Sequence, residues 1–467
     1  MRRFLVLALL FCWNLTPAVA STDRPNVVLF FIDDLGWRDV GYMGSDFFET
    51  PHIDRLAQES MRFSSAYSAA PNCAPSRACL MSGQYTPRHG VYTVGDPARG
   101  NDRYRKLVPA KNKTVLDDKI ITIADTLSQA GYRCASVGKW HLGQTPLSQG
   151  FQVNIAGNRT GSPRGGYFSP YKNPQLADGK QGEYLTDRLT DEACEFIKAK
   201  AKTPFFLYLT HYAVHTPLQA KQADVEYFQS KPPGKLHQHA TYAAMIKSMD
   251  ESIGRVLETL KAQQLEQNTI IIFTSDNGGY GPATNMQPLR GSKGMLYEGG
   301  IRVPLVVKWP RVTKANSASE EPVINVDLYP TLLEMTGTPH PKDYVLDGTS
   351  LVPLLKDPQS QLKPRSLFWH FPAYLQKYKG MQQRFRTTPV SVIRQGDWKL
   401  LEFFEDGHRE LYNTRLDISE TMNLADSHPE KAKQLATALH DWQKQVHAAI
   451  PSEPNPQYRS RNESNEK

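Results

Sequence analysis

Cysteine is scarce in this chain. Five in 467 residues cannot form the disulfide framework that staples small extracellular domains, and no Cys/His cluster has the spacing of a zinc site. Beyond Cys12 the chain holds only Cys73, Cys79, Cys134 and Cys194; Cys79 with Cys194 or with Cys134 is an open pairing. No apolar run approaches the roughly 20 residues that cross a bilayer, which leaves no membrane span to expect. Lysine and arginine nowhere gather into a stripe interleaved with aromatics, so the chain lacks the footprint of a nucleic-acid binder. Internal repeats and heptads are also missing, which excludes solenoids and coiled coils.

What is present begins with a leader. Met1-Arg2-Arg3 is basic, residues 4–13 are apolar, and Ala18-Val19-Ala20 spaces small side chains as at a cleavage site; this pattern predicts a signal peptide over 1–20, cut after Ala20, and a secreted or periplasmic protein. Phe11 before Cys12, where a small residue would be needed, argues against a lipid anchor. Loss of Arg2 and Arg3 lowers the formal charge from +8 to +6, a moderate excess that suits an anionic substrate without demanding one.

Further along, Asn26-Val27-Val28-Leu29-Phe30-Phe31-Ile32 is apolar without alternation, the pattern of a strand buried on both faces. It stops at Asp33-Asp34-Leu35-Gly36. The same grammar recurs: helices over 122–130, 184–200 and 242–263 precede strands over 133–137, 205–210 and 269–274. Each of these strands ends in a polar loop: Gly138 to His141, the segment up to His215, and Ser275 to Gly279. Helix and strand in alternation predict an α/β protein with a large, mostly parallel central sheet flanked by helices, and open sheets of that kind bind ligands at the carboxyl ends of their strands. A helix over 51–60 and another from Ser76 onward complete the expected layers. Residues 154–182 and 232–239 lack periodicity and are candidate substrate walls. Past Arg365 a smaller α+β subdomain is expected over 366–450: strands 390–394 and 398–403 about the turn Gln395-Gly396-Asp397, a third strand at 410–413, and a helix over 431–449 with Leu435, Leu439, Trp442 and Val446 at helical spacing. The catalytic domain would then span 24–365, and 451–467 would be a disordered tail.

The chemistry is concentrated in Cys73-Ala74-Pro75-Ser76-Arg77. A lone cysteine among small residues is ordinarily a buried small hydrophobe, and Pro75 biases the backbone before it away from helix. Together with Gly131-Tyr132-Arg133-Cys134-Ala135-Ser136-Val137-Gly138-Lys139-Trp140-His141, however, the stretch resembles the paired signature of the type I sulfatases, members of the alkaline-phosphatase superfamily. The resemblance extends in order from Pro25 to about Leu424 through Asp33-Asp34, His215-Thr216-Pro217, Ser275-Asp276-Asn277-Gly278-Gly279 and Lys293. It departs from the usual pattern at Asn72, Ser82 and Cys134, none of them a reacting group.

The resemblance implies a sulfatase fold in which a formylglycine-generating enzyme oxidises Cys73 to Cα-formylglycine (3-oxoalanine). It also implies one calcium ion held by Asp33, Asp34, the modified Cys73, Asp276 and Asn277, hard oxygen donors of the kind calcium prefers. Arg77 would support the nucleophile and the metal site, and Lys139 and Lys293 would hold sulfate oxygens. His215 with Lys293 would protonate the leaving alcohol, and His141 would take a proton from the second hydroxyl of the hydrated aldehyde. The expected substrate is a sulfate ester, above all on a sulfated carbohydrate. A phosphonate or phosphate ester hydrolase of the same superfamily, and a sulfated-glycan binder that has lost activity, are the alternatives.

Overall fold

The computed structural model describes residues 24–199 and 203–459; the expected signal peptide lies outside them. Its main sheet has eight strands: β1 (Asn26–Ile32), β2 (Met61–Phe63), β3 (Arg133–Gly138), β4 (Val153–Ile155), β5 (Phe205–Thr210), β6 (Thr269–Ser275), β7 (Leu305–Lys308) and β8 (Ser317–Ser319), in the spatial order β4-β3-β5-β1-β6-β7-β2-β8. The five strands from β4 to β6 run parallel, β7 is antiparallel to both of its neighbours, and β2 and β8 pair in parallel.

Burial explains the lack of alternation in β1, all of whose residues are buried. Val28, Phe30 and Ile32 enter one apolar core, while Val27, Leu29 and Phe31 enter the core on the opposite face. Helices α1 (Pro51–Gln58), α4 (Leu185–Lys198) and α5 (Ala240–Ala262) cover the first face. Helices α2 (Cys73–Ser82), α3 (Ile123–Gln129) and α6 (Leu328–Thr336) cover the second. A sheet covered by helices on both faces leaves its strand ends as the place where polar side chains can gather.

A second, antiparallel sheet follows: β9 (Ser366–Phe371), β10 (Val390–Gln395), β11 (Trp398–Phe403) and β12 (Arg409–Asn413), in chain order. The β10–β11 hairpin closes through Gly396 at φ 58, a left-handed angle that glycine adopts without cost. Helix α7 (Pro429–Gln445) lays Leu435, Leu439 and Trp442 against this sheet in a third core. Buried charges tie this sheet to the short helix before β7 and to the loop after β12: Lys399 Nζ lies 3.0 Å from Glu298 Oε1 and 2.8 Å from Glu420 Oε1, all without exposure.

Three expectations are corrected. The four cysteines among the described residues are unpaired, with Cys194, Cys134 and Cys79 in three different apolar cores, so neither proposed disulfide forms. The tail is ordered over 451–459: the Val108 N–H donates to Glu453 O (2.8 Å), the Asn455 N–H to Lys106 O (2.9 Å), and Pro451 is buried. Backbone pairing thus holds a segment that composition alone marked as disordered, while 460–467 lie outside the described residues. The loop 232–239 does not reach the cavity described below, because His237 is buried and stacked on Phe48 at 4.5 Å.

Candidate active site

Helix α2 starts at Cys73, three residues earlier than expected, directly after Asn72 in extended conformation (φ −149, ψ 168). Pro75 is tolerated because it occupies the third helical position, where the backbone N–H has no intrahelical partner to lose. The helix ends at Gly83 (φ 66), and every residue of α2 is buried. Cys73 is thereby fixed at a helix start that faces the ends of β1 and β6.

The cluster assembles at those ends. One ligand atom each from Asp33, Asp34, Cys73 and Asp276 lie within 4.8 Å of one another, and all four residues are buried. The Asp34 N–H donates to Asp276 Oδ1 (3.1 Å), Asn277 Nδ2 donates to Asp34 Oδ1 (2.8 Å), and Cys73 Sγ stands 3.7 Å from Asp34 Oδ1. Asp33 Oδ1 and Asn277 Oδ1 are buried with no hydrogen-bond partner. Buried oxygens of this kind are costly unless something satisfies them, and a donor set of carboxylate and amide oxygens suits a hard divalent cation.

Three cations match the three carboxylates. Arg77 reaches Asp276 Oδ2 through Nη2 (2.8 Å) and Nε (3.1 Å), and its Nη1 donates to Lys139 O (3.1 Å) and to Thr210 Oγ1. Lys139 Nζ lies 2.5 Å from Asp33 Oδ2 without exposure, and Lys293 Nζ lies 2.6 Å from Asp34 Oδ2. Lys139 gets there through Gly138, at φ 107, where a Cβ would sit 2.0 Å from Thr210 O and block the approach of β3 to β5. Lys293 opens onto the cavity, whereas Arg77 and Lys139 stand behind the carboxylates and do not line it. Burial opposes ionisation of Asp33 and Asp34, but Lys139 on Asp33 and Lys293 on Asp34 hold both carboxyls below the usual range. Burial, helped by the Asp33 charge, pushes Asp276 up to about 7. The Cys73 thiol is pushed up by burial and by Asp33, so it is no thiolate.

A cavity of about 360 Å³ opens over the cluster. Cys73, His141, His215 and Lys293 line it, so four of the six residues expected to be catalytic share one space. His215 Nε2 is 3.7 Å from Asp34 Oδ2 while Nδ1 donates to Thr216 O (2.7 Å). Burial and the Lys293 charge lower its pKa to about 4. His141 adopts φ 62, anchors its N–H on Asn158 O (2.9 Å), and leaves Nδ1 without a partner. Burial and Lys139 hold it neutral, well below its ordinary value.

The loop 154–182 supplies Gly161 and Ser162 to the wall, as expected of it. Arg99, Arg386, Tyr280 and Tyr378 also line the cavity, and no motif in the sequence pointed to them. Arg99 and Tyr378 come from loops and Arg386 from the short strand Phe385–Thr387, while Tyr280 directly follows the Ser275 to Gly279 loop; the fold brings all four to Cys73.

The fold and the cluster are those of an α/β protein whose buried carboxylates could hold a cation at the strand ends. The family described as Sulfatase matches residues 25–338, and the family described as N-sulphoglucosamine sulphohydrolase, C-terminal, matches 292–448. A sulfatase of Formosa agariphila is 35% identical over 93% of this chain and 92% of its own length. Human N-acetylgalactosamine-6-sulfatase is 34% identical over 76% of this chain and 69% of its own. Among solved structures, that of Ps i-CgsB in complex with k-i-k-neocarrahexaose superposes with a TM-score of 0.75 at 31% identity, covering 94% of this chain and 96% of that one. The chain belongs to the sulfatase family and is a sulfuric ester hydrolase.

Proposed function

We propose that this is an exported sulfatase that removes sulfate from a sulfated carbohydrate, using formylglycine made from Cys73 and a calcium ion. The observation that carries the reading is the convergence of Cys73 with Asp33, Asp34 and Asp276 beneath a cavity also lined by His141, His215 and Lys293. The carbohydrate substrate is supported by the oligosaccharide bound to Ps i-CgsB and by the substrate named in N-acetylgalactosamine-6-sulfatase. We assign catalysis to 24–365 and a supporting role to 366–450.

Asp33, Asp34, Asp276 and Asn277 would hold the calcium ion, together with the oxygen that replaces the Cys73 sulfur. Their unpartnered buried oxygens Asp33 Oδ1 and Asn277 Oδ1 fit that role. When bound, such an ion lowers the pKa of a hydroxyl and neutralises sulfate charge, and formylglycine as its hydrate supplies one hydroxyl to attack sulfur and a second through which sulfate is expelled.

The chain's own groups do the rest. Arg77 fixes the Asp276 carboxylate and Lys139 that of Asp33, which keeps the donor set aligned. Lys293, whose ammonium Asp34 stabilises against the cost of burial, meets the sulfate and supplies the proton for the departing alcohol oxygen, with the unprotonated Nε2 of His215 beside it to take that proton up and pass it on. His141 is neutral and lines the cavity, and its imidazole accepts the proton of the second hydroxyl.

Mass spectrometry of the peptide containing Cys73, from protein made with its maturation enzyme, should show a loss of about 18 Da as the thiol carbon becomes an aldehyde. The same preparation should release sulfate from aryl and sugar sulfates and leave aryl phosphates nearly untouched. An unmodified thiol in active enzyme overturns the reading.

A further inference from the structure

At the cavity floor, charge is matched pair by pair: Arg77 with Asp276, Lys139 with Asp33, Lys293 with Asp34. The wall is different. Arg99 and Arg386 line the same cavity as Cys73, and neither forms an ion pair with a carboxylate among the described residues. Arg99 Nη2 donates to Thr93 Oγ1 (3.0 Å), which also accepts from Asn72 Nδ2 (3.0 Å), so this guanidinium is tied to the residue before Cys73. Asp96 is exposed and spends Oδ1 on the Ala98 N–H. Arg386 packs its guanidinium 4.0 Å from the centre of the Tyr378 ring and against Gly294, where a Cβ would lie 2.8 Å from Arg386 Nε. Tyr378 in turn donates its hydroxyl to Lys293 O (3.1 Å). The Nε atoms of both arginines are buried without a hydrogen-bond partner.

Two guanidiniums in one cavity with no carboxylate paired to either repel each other and forgo hydrogen bonds, a cost that an anion bridging them would remove. In keeping with that, burial and the Arg386 charge together hold Arg99 below its ordinary pKa. Catalysis offers them no task, since the scissile sulfate is served from the floor by Lys293 and the cation site. Planar, forked donors suit carboxylate and sulfate oxygens.

We propose that Arg99 and Arg386 form a second anion subsite, which makes the preferred substrate a carbohydrate carrying a second anionic group, sulfate or carboxylate, beside the sulfate that is cleaved. This rests on the sulfatase reading and adds to it the charge of the substrate. Arg386 also lines a neighbouring cavity of about 410 Å³, so the second anion would sit on the side of the site that borders it.

The test compares kcat/KM for three substrates: a monosulfated hexose glycoside, the same sugar with a second sulfate, and a monosulfated disaccharide with an adjacent hexuronate. Wild-type enzyme should prefer one of the dianionic substrates over the monosulfated sugar by tenfold or more, and whichever wins identifies the second anion. In Arg99→Gln and in Arg386→Gln the ratio of dianionic to monoanionic kcat/KM should fall by roughly 10- to 100-fold, the worth of a charge-assisted hydrogen bond. Because both substrates are measured on one preparation, a misfolded fraction cancels from the ratio. A wild type that cleaves monosulfated sugars as well as dianionic ones, or a ratio that moves less than threefold in both variants, overturns the subsite alone. Wild-type protein inactive on every sulfate ester overturns the sulfatase reading and the subsite with it.

Discussion

Gly161→Ala tests whether the position of the His141 ring, and not merely its presence, carries catalysis. A Cβ on Gly161 would lie 2.4 Å from His141 Cε1, 2.7 Å from Nε2 and 2.9 Å from Nδ1, where ordinary contacts begin at 3.4 Å. The ring must therefore withdraw by about 1 Å, a displacement that can cost roughly 100-fold in rate when a reacting group is misplaced. The backbone of His141 cannot follow, because it is pinned at φ 62 and by its N–H bond to Asn158 O. Gly161 has no positive φ, so alanine brings no backbone strain, and rotating one ring aside should cost only about 1 kcal/mol of stability. The assay is kcat on an aryl sulfate for wild type, Gly161→Ala, His141→Ala and the double variant, with melting temperatures alongside. We expect Gly161→Ala to lose about 100-fold, His141→Ala to lose about 100- to 10,000-fold as for a lost general base, and the double variant to match His141→Ala. A double variant with a further 100-fold loss would show that Gly161 acts independently of His141 and would refute the reasoning, as would a fully active Gly161→Ala.

Three further outcomes follow from the buried charges. Chelation with EGTA should abolish turnover and lower the melting temperature, with calcium at 100 times its Kd restoring about 2.7 kcal/mol; Asp276→Ala should melt independently of calcium, and full turnover in exhaustively demetallated protein would contradict the assignment. Lys399→Met strands Glu420 and removes one of the cations on Glu298, so urea unfolding should register a loss of about 3–5 kcal/mol, and a loss under about 1 kcal/mol would show the cluster is not a fastening. His370 is held neutral by burial, its pKa lowered to about 4 from 6.5, with its ring between Ser391 Oγ (2.6 Å) and Ala449 O (3.0 Å). The unfolded chain takes up that proton first, so stability is full above pH 6.5 and declines toward pH 4 by about 3 kcal/mol; His370→Gln should flatten urea midpoints measured across that range, and an unchanged slope would rule out the histidine.

Much of the fold was legible in the chain because it depends on local pattern. The unbroken apolar run of β1 required two covered faces, and Val27 and Val28 do enter opposite cores. Alternating helices and strands implied parallel pairing, which puts all the polar loops at one sheet edge, so Asp33, Lys139, His215 and Asp276 could be placed together from their strand ends. The start of α2 was misread because a proline was taken to exclude helix before it. At the third helical position it loses no hydrogen bond.

By itself, then, the sequence determined which strands end in chemistry and which residue types stand there, since both follow from periodicity and from motifs read within a few positions. Only the tertiary structure decided what depends on contacts between distant segments. It separated the cysteines into three cores, laid 451–459 back over the residues near Lys106, and set Lys139 behind Asp33 while Lys293 faces the cavity. It also brought Arg99, Tyr280, Tyr378 and Arg386 to the wall around Cys73. The physical reason is that side chains in loops and in a strand of three residues carry no periodic signal: their neighbours are fixed by how the sheets and their connections pack, and a lone arginine in a polar stretch reads the same whether it faces solvent or a substrate.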